Sequence, residues 1–303
     1  MSLEELVKRG AGRVVEHAPF GASTTYRVGG TVRALVTLET RADLEELGPF
    51  MADTGLVMFT LGNGSNLLVA DGEHAVLGVR LGGEFTELEV HDADGHVVVR
   101  AGAGLDLPVA ARRLAGQGIT GFEWAVGVPG TFGGSVKMNA GGHGSDMASS
   151  LVEVEVWRRG ATTTLSSEAL HLGYRTSSLG PDQLVLSATL RLEHGDRVRA
   201  QEQIRSIVRW RREHQPGGAN AGSVFRNPPG EHAGRLIEAA GCKGLRVGTA
   251  AVSAKHANFI IADADGSAND VYELILQIRA RVLASSGVLL HCEHRFLGFP
   301  DES

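Results

Sequence analysis

The sequence predicts an α+β chain in three successive parts: a small α/β lobe, a strand-rich lobe and a closing α/β unit. Three observations carry this. A strand–helix–strand pattern runs from Arg33 to Leu61, and period-two alternation dominates Leu88 to Arg100 and Val152 to Val156. A charged helix, Arg197 to His214, ends at Gln215-Pro216, after which the pattern returns to mixed helix and strand. With 303 residues, 43% of them hydrophobic, the chain is long enough to bury the cores of two or three domains. The expected boundaries are 1–84, 85–196 and 197–303.

In chain order, Leu3 to Val7 read as the start of a short helix. Thr24-Thr25-Tyr26-Arg27-Val28-Gly29-Gly30 lead into a strand over Arg33 to Leu38. Thr40 is placed to cap a helix with an apolar stripe of Leu44, Leu47 and Met51, and Asp43 holds the capping-box position. Val57 to Leu61 and Val76 to Leu81 are strands, and Asp94-Gly95 turns a hairpin between Leu88 and Arg100. Asp106 caps a helix with Pro108 in its first turn. Strands follow at Val152 to Val156 and Leu184 to Leu192. In the last part a short helix from His232, a strand over His256 to Ala262 and a long helix from Asn269 are expected. That helix would bury Val271, Leu274, Ile275, Ile278 and Val282, with Ser267 and Asp270 as its capping pair.

Composition narrows the function classes. The net charge of −6 argues against a nucleic-acid coat or a membrane-surface protein, so a small-molecule partner is expected, with neither nucleic acid nor membrane. Met1 to Gly12 hold no apolar core of signal-peptide length, and no stretch approaches the ~18 apolar residues of a membrane span. Two cysteines, Cys242 and Cys292, imply no disulfide framework. The expected compartment is a reducing cytoplasm. Glycine, at 41 residues, is roughly twice its usual ~7% share, which points to loops where backbone approaches something closely.

Four stretches could carry chemistry. Gly62-Asn63-Gly64-Ser65-Asn66 form a polar bend between apolar runs, able to take positive φ and aim successive amides at a phosphate or diphosphate. The competing reading is a plain strand-turn-strand corner; neither a Rossmann fingerprint nor a P-loop is completed. Gly127 to Asp146 hold seven glycines without periodicity, a long irregular segment expected to lie along a bound ligand. Ser223, in Ala221 to Pro228, sits in a loop without a nucleophile elbow, so an ordinary turn competes with a catalytic role. Leu289 to Leu297, read as a strand, put His291, Glu293 and Arg295 on one face and Cys292 and His294 on the other. Cys292 with His294 lacks further ligands at metal spacing, so no metal is expected. Arg205, Arg209 and Arg212 share one side of the charged helix, a pattern that suits a solvated face.

Seven stretches agree on one family. TTYRVGG (24–30), LGNGSNLLVAD (61–71), GVPGTFGGSVKMNAGGHG (127–144), GYRTS (173–177), AGSVFRNP (221–228), KHANFI (255–260) and CEHRFLG (292–298) occur in the order and spacing of the MurB family. Over nearly its whole length the chain resembles these UDP-N-acetylenolpyruvoylglucosamine reductases of bacterial peptidoglycan synthesis, in the shorter subclass without an extra substrate-covering loop. The resemblance implies a two-lobed FAD-binding module of the vanillyl-alcohol oxidase (PCMH) type plus a C-terminal α/β substrate-binding domain. It further implies non-covalent FAD, with NADPH and UDP-N-acetylglucosamine enolpyruvate taking the same place in turn, and a monomer.

By the same resemblance, Gly62, Asn63, Gly64, Ser65 and Asn66 cradle the FAD diphosphate. Gly127, Val128, Pro129, Gly130, Thr131, Gly133, Gly134, Asn139, Ala140 and Gly141 lie along the cofactor. Hydride addition to the enolpyruvyl double bond leaves an enolate, which calls for a cation, an orienting group and a proton donor. Arg175, Ser223 and Glu293 match the catalytic positions as enolate stabiliser, proton donor and orienting carboxylate. Asn227 matches a diphosphate contact, Arg226 stands where a lysine is usual, and Tyr174 and Arg295 are further substrate candidates. His294 stands where the family usually has valine. Two other classes compete. An alcohol or hydroxy-acid oxidase on the same fold need not carry Arg175, Ser223 and Glu293 together, and of possible flavin tethers only His143 lies in the long glycine loop. A non-catalytic nucleotide-sugar binder has no need of two glycine loops shaped to a dinucleotide.

Overall fold

In the computed structural model, Glu5, Leu6 and residues 13–300 are described, and they fall into two compact units. The first comprises the described residues up to Glu16 with Arg33–Gly62 and Ala75–Trp210; the second comprises His17–Val32, Asn63–His74 and the described residues from Arg211 onward. These units cut the chain at places other than 84/85 and 196/197, because two early segments pack with the late one. Of the helix expected over Leu3 to Val7, Glu5 and Leu6 are helical and the rest lies outside the described residues.

The first unit has two cores. A four-stranded sheet runs in the order Arg13–Ala18, Thr31–Leu38, Glu73–Leu81, Val57–Thr60. The helix Arg41–Thr54 packs on it through Leu44, Leu47 and Phe50, with Met51 only partly buried. The capping expectation holds: Asp43 Oδ2 accepts from the Thr40 amide at 2.9 Å and from the Glu39 amide at 2.7 Å. The second core lies under an antiparallel sheet in the order Ala161–Ser166, Leu151–Arg158, Leu184–His194, His96–Gly102, Leu88–Ala93. Val97, Val99, Val154, Val156, Ala188 and Leu190 share that core with Leu107, Ala110, Ala111, Leu114 and Ala115 of the helix Leu107–Gly116, and the helix Arg197–His214 adds Ala200, Ile204 and Ile207. The rest of that helix is mostly charged, though it also exposes Val198, Val208 and Trp210, and Arg205 pairs with Glu202 of its own helix.

The second unit is built round the helix Ala268–Ser286, which buries Val271, Leu274, Ile275, Ile278 and Val282 as its periodicity predicts. The three-stranded sheet Arg246–Val247, Ala250–Val252, Ile260–Ala262 and the helix Ala233–Ala239 pack with it. Tyr26, Val28 and Leu68 join the same core, which is why the two early segments belong here. Leu67–Val69 pair in parallel with Arg295–Leu297, so the corner reading of the glycine loop fails: its second strand does not return along its first.

Three further expectations are corrected. The strand expected over His256 to Ala262 covers only Ile260–Ala262, because Ser253 Oγ accepts from the Lys255 amide at 3.1 Å and turns the preceding stretch. The strand expected over Leu289 to Leu297 is regular only at Arg295–Leu297, with a single bridge at Cys292 and a bend at His294 before it. Ser267 caps the long helix without Asp270 as partner. Ser267 Oγ accepts from the Asn269 and Asp270 amides at 3.1 and 3.4 Å, whereas Asp270 Oδ2 accepts from the Thr249 amide and hydroxyl, each at 2.7 Å. These bonds hold the Asp270 carboxyl below its ordinary range. The second acid at this helix start is Asp71, which accepts from Ser267 Oγ at 2.5 Å and from the Ala268 amide at 3.3 Å.

Asp71→Ala is therefore expected to lower the stability of the second unit by about 1 kcal/mol through a lost helix cap, with Asp71→Asn losing less. Urea unfolding followed by circular dichroism measures both, and equal midpoints for Asp71→Ala and wild type would refute the capping role.

Candidate active site

The loop after Val57–Thr60 is shaped by contacts that leave no room for side chains. A Cβ on Gly62 would lie 2.6 Å from Thr131 Oγ1, and one on Gly64, at φ +60°, would lie 2.6 Å from Thr24 Cα. The Gly64 carbonyl is occupied by the Thr25 amide at 3.2 Å, while the amides of Gly64, Ser65 and Asn66 have no acceptor among the described residues. Consecutive unpaired amides on a left-handed glycine are suited to an anion of diphosphate size. The Asn66 side chain, by contrast, is engaged elsewhere: Nδ2 donates to the Glu293 carbonyl at 3.0 Å.

Gly127 to Asp146 is less irregular than expected. Gly133 and Gly134 lie within a short helix, Phe132–Lys137, and Gly141–Gly142 pair with Ser145–Asp146. The periodicity was hidden because glycines occupy positions where backbone packs on backbone: the Gly133 amide donates to the Ala103 carbonyl at 2.8 Å, and the Phe132 amide to that of Leu105 at 3.0 Å. Val128, Pro129, Gly130 and Thr131 form the approach to this helix, with the Gly130 carbonyl accepting from the Leu107 amide at 3.0 Å. Ala140 closes the helix by donating to the Ser135 carbonyl at 2.8 Å.

Asn139 proves to be a positioning residue. Buried and at φ +38°, it donates from Nδ2 to the Gly173 carbonyl at 3.0 Å and to Asp146 Oδ2 at 3.2 Å, and it accepts from the Ala148 amide at 3.0 Å. Gly173 begins the tight turn that carries Tyr174 and Arg175. Arg175 takes φ +58°, donates from a terminal guanidinium nitrogen to the Gly141 carbonyl at 2.8 Å and sits 5.4 Å from the centre of the exposed Tyr174 ring. The arginine is thus held in place within the first unit. His143 packs edge-on against Trp210 at 5.2 Å between ring centroids.

In the second unit the backbone holds Ser223 and Glu293 close in the fold. Next to Ser223, the Val224 carbonyl accepts from the Glu293 amide at 2.8 Å, and the Arg226 amide donates to the His291 carbonyl at 2.9 Å. Asn258, buried, supports the other side: its Oδ1 accepts from the Phe225 amide at 3.0 Å and its Nδ2 donates to the Phe225 carbonyl at 2.9 Å. Ser223 and Asn227 line a cleft of about 420 Å³ with His232, Arg235, Lys255 and His256. Burial holds His256 below the ordinary histidine range, in its neutral form. Asn227 Oδ1 is taken by the Ala233 amide at 3.0 Å, whereas buried Arg226 Nε has no acceptor among the described residues. Arg295 stands exposed on the strand paired with Leu67.

Sequence reasoning missed Asn139's role as a brace, and missed Asn258 and the cleft residues of KHANFI. The available signal was a lone amide inside an apolar run, Ala257-Asn258-Phe259-Ile260, since an asparagine buried there must satisfy backbone. Among the described residues no cluster of metal-ligating side chains occurs, and neither Cys242 nor Cys292 is in a disulfide.

A family model of the UDP-N-acetylenolpyruvoylglucosamine reductase C-terminal domain matches residues 214–297, and a model of an FAD binding domain matches residues 32–166. The UDP-N-acetylenolpyruvoylglucosamine reductase 2 of Symbiobacterium thermophilum is 40% identical over 96% of this chain and 94% of its own length. The chain belongs to the MurB family. The Bacillus subtilis MurB relative is 34% identical across 98% of both chains. The crystal structure of MurB from Thermus caldophilus superposes with a TM-score of 0.79 at 38% identity, covering 94% of this chain and 98% of that one. The α+β fold with an FAD-binding module and a MurB C-terminal domain is thereby shown, and the tight Gly62 and Gly64 contacts and free loop amides fit the FAD that MurB enzymes use.

Two outcomes follow from this geometry. Gly62→Ala forces its methyl against Thr131, so the purified variant is expected to carry less FAD per chain than wild type, read from the ratio of flavin to protein absorbance; full occupancy would refute the packing argument. Burial also lowers the pKa of His294 from 6.5 to about 3. Because the folded pKa lies below the unfolded one, the stability this group contributes is complete above pH 6.5 and is lost as pH falls toward 3, at up to ~1.4 kcal/mol per unit. Acid titration of urea midpoints should show a shallower loss for His294→Leu, though that variant starts lower at neutral pH.

Proposed function

We propose that this chain reduces UDP-N-acetylglucosamine enolpyruvate to UDP-N-acetylmuramate with NADPH, acting as a monomer in the cytoplasm. Membership of the MurB family over nearly the whole chain supports the reaction. The backbone pairing of Val224 with Glu293 supports the residue roles, since it ties the segments that carry two of the three residues the chemistry needs. In this reading 1–84 and 85–196 supply the FAD-binding lobes and 197–303 the substrate domain, with the early segments at 17–32 and 63–74 completing the core of the latter. FAD, when bound, supplies the passage of hydride from NADPH to the terminal carbon of the substrate double bond.

The protein's own groups manage the charge and the proton. Hydride addition places negative charge on the carbon beside the substrate carboxylate, spread as an enolate. Arg175 stabilises that charge; its guanidinium, already fixed on the Gly141 carbonyl and the Tyr174 ring, has little reorganisation left to undergo. The Ser223 hydroxyl gives its proton to the same carbon and is reprotonated from solvent before the next turnover. Glu293 orients and polarises the reacting group. Arg226, whose buried Nε lacks an acceptor among the described residues, and Asn227, whose Oδ1 is held by the Ala233 amide, contact the diphosphate, and Tyr174 and Arg295 contribute to the substrate site. Loop amides 64–66 hold the cofactor diphosphate, and the 127–141 segment lies along the cofactor.

Ser223→Ala tests the assignment. NADPH should bleach its flavin absorbance at the wild-type rate, while recovery on adding the enolpyruvyl substrate anaerobically should slow by about 10²-fold or more. Wild-type recovery would remove Ser223 from the mechanism. A protein that neither carries nor takes up FAD would overturn the whole reading.

A further inference from the structure

Asn66, half-buried, and the buried His294 and Tyr26 form a continuous chain that the reaction itself does not use. Tyr26 Oη lies 3.0 Å from His294 Nε2, and His294 Nδ1 lies 3.0 Å from Asn66 Oδ1. Both the tyrosine and the histidine are almost wholly buried. The direction of every bond in this chain follows from its ends. The Glu293 carbonyl can only accept, so the amide nitrogen of Asn66 faces it and Asn66 Oδ1 faces the imidazole. His294 Nδ1 must therefore carry the proton and donate. A neutral imidazole has one N–H, so Nε2 is bare and accepts from the Tyr26 hydroxyl.

We infer that this neutral chain, Tyr26 to His294 to Asn66, positions Glu293 for the reduction; the inference rests on the catalytic role proposed for Glu293. Glu293 is gripped from two sides, its amide by the Val224 carbonyl at 2.8 Å and its carbonyl by Asn66 Nδ2 at 3.0 Å. The Asn66 backbone adds a third tie, its carbonyl accepting from the Arg295 amide at 2.9 Å. An unbraced asparagine side chain would have several rotamers available, and only one reaches the Glu293 carbonyl. His294 selects that rotamer by donating to Oδ1, and Tyr26 selects the tautomer of His294 that can donate. Burial keeps the imidazole neutral, since desolvation alone pushes its protonation far below the ordinary range. Burial, with the Cys292 thiol as a lesser influence, holds the Tyr26 phenol protonated. His294 is thus a positioning residue, acting on Glu293 through Asn66.

The two arms of the imidazole can be separated. His294→Asn places an amide nitrogen where Nδ1 stood and can still donate to Asn66, but it is too short to meet Tyr26. His294→Gln reaches toward Tyr26 and leaves Asn66 Oδ1 without its donor. In anaerobic stopped-flow, His294→Gln is expected to slow substrate-driven flavin recovery about tenfold, with NADPH-driven bleaching within about twofold of wild type, and His294→Asn is expected to recover most of that rate. Glu293→Gln is run beside them. Normal recovery in His294→Gln with impaired recovery in Glu293→Gln overturns the positioning role. Normal recovery in both overturns the assignment of Glu293 itself, and the inference with it. Equal slowing of both half-reactions in His294→Gln would mark His294 as merely structural. Independently of activity, the ¹⁵N spectrum of the imidazoles at about pH 5 should show one neutral ring protonated on Nδ1. If His294 is instead protonated on Nε2 or is a cation, the chain does not exist as described.

Discussion

The parallel pairing of Leu67–Val69 with Arg295–Leu297 is the constraint on which the second unit depends. Parallel strands cannot be joined by a tight turn, so this pair closes only when the intervening chain has returned to it, and the entropy of that closure must be recovered by burial around it. Leu68 enters the same core as the helix Ala268–Ser286, and Asp71, just beyond the strand, caps that helix. On the other side of the pair, Asn66 is brought to the Glu293 carbonyl. One short ladder thereby fixes the start of a helix, the end of a glycine loop and the backbone of a candidate catalytic residue.

Each unit uses a buried asparagine for a task a strand would otherwise perform. Asn139 satisfies Gly173 and Ala148 and so supports the turn bearing Arg175. Asn258 bonds both the amide and the carbonyl of Phe225 and so supports the segment bearing Ser223. A carboxamide presents one donor group and one acceptor, the same pair a neighbouring peptide would present. It can therefore complete the hydrogen bonding of a loop at a site where regular pairing would leave no room for substrate.

The long glycine segment shows why irregular composition does not mean irregular structure. Gly127, Gly133 and Gly141 each face another part of the chain so closely that a methyl group would collide or crowd it, the Gly141 position most severely, at 2.5 Å from Asp146 Cβ. Helix and hairpin both form there, stabilised by backbone contacts with residues 103 and 105 and by Asn139 rather than by an apolar stripe. A reading based on side-chain periodicity has nothing to register in such a segment.

Local features were legible in the sequence by itself wherever side-chain pattern and capping chemistry decide structure. The Asp43 capping box, the helix Arg197–His214, the buried face of Ala268–Ser286 and the family motifs with Arg175, Ser223 and Glu293 all belong to that class. What only the tertiary structure decided are relations between distant positions. These are the partner of Leu67–Val69, the placement of residues 17–32 and 63–74 with the late part of the chain, and the use of Asp71 in place of Asp270 at a helix start. His294 belongs with them. As a residue in a sequence it was an oddity in a motif, and its tautomer and purpose exist only because Tyr26 and Asn66, both more than 200 residues earlier, meet its two ring nitrogens. Periodicity and capping act over a few residues and leave their mark in the local sequence, whereas pairing across the chain is settled by which buried groups must find partners once the core has closed.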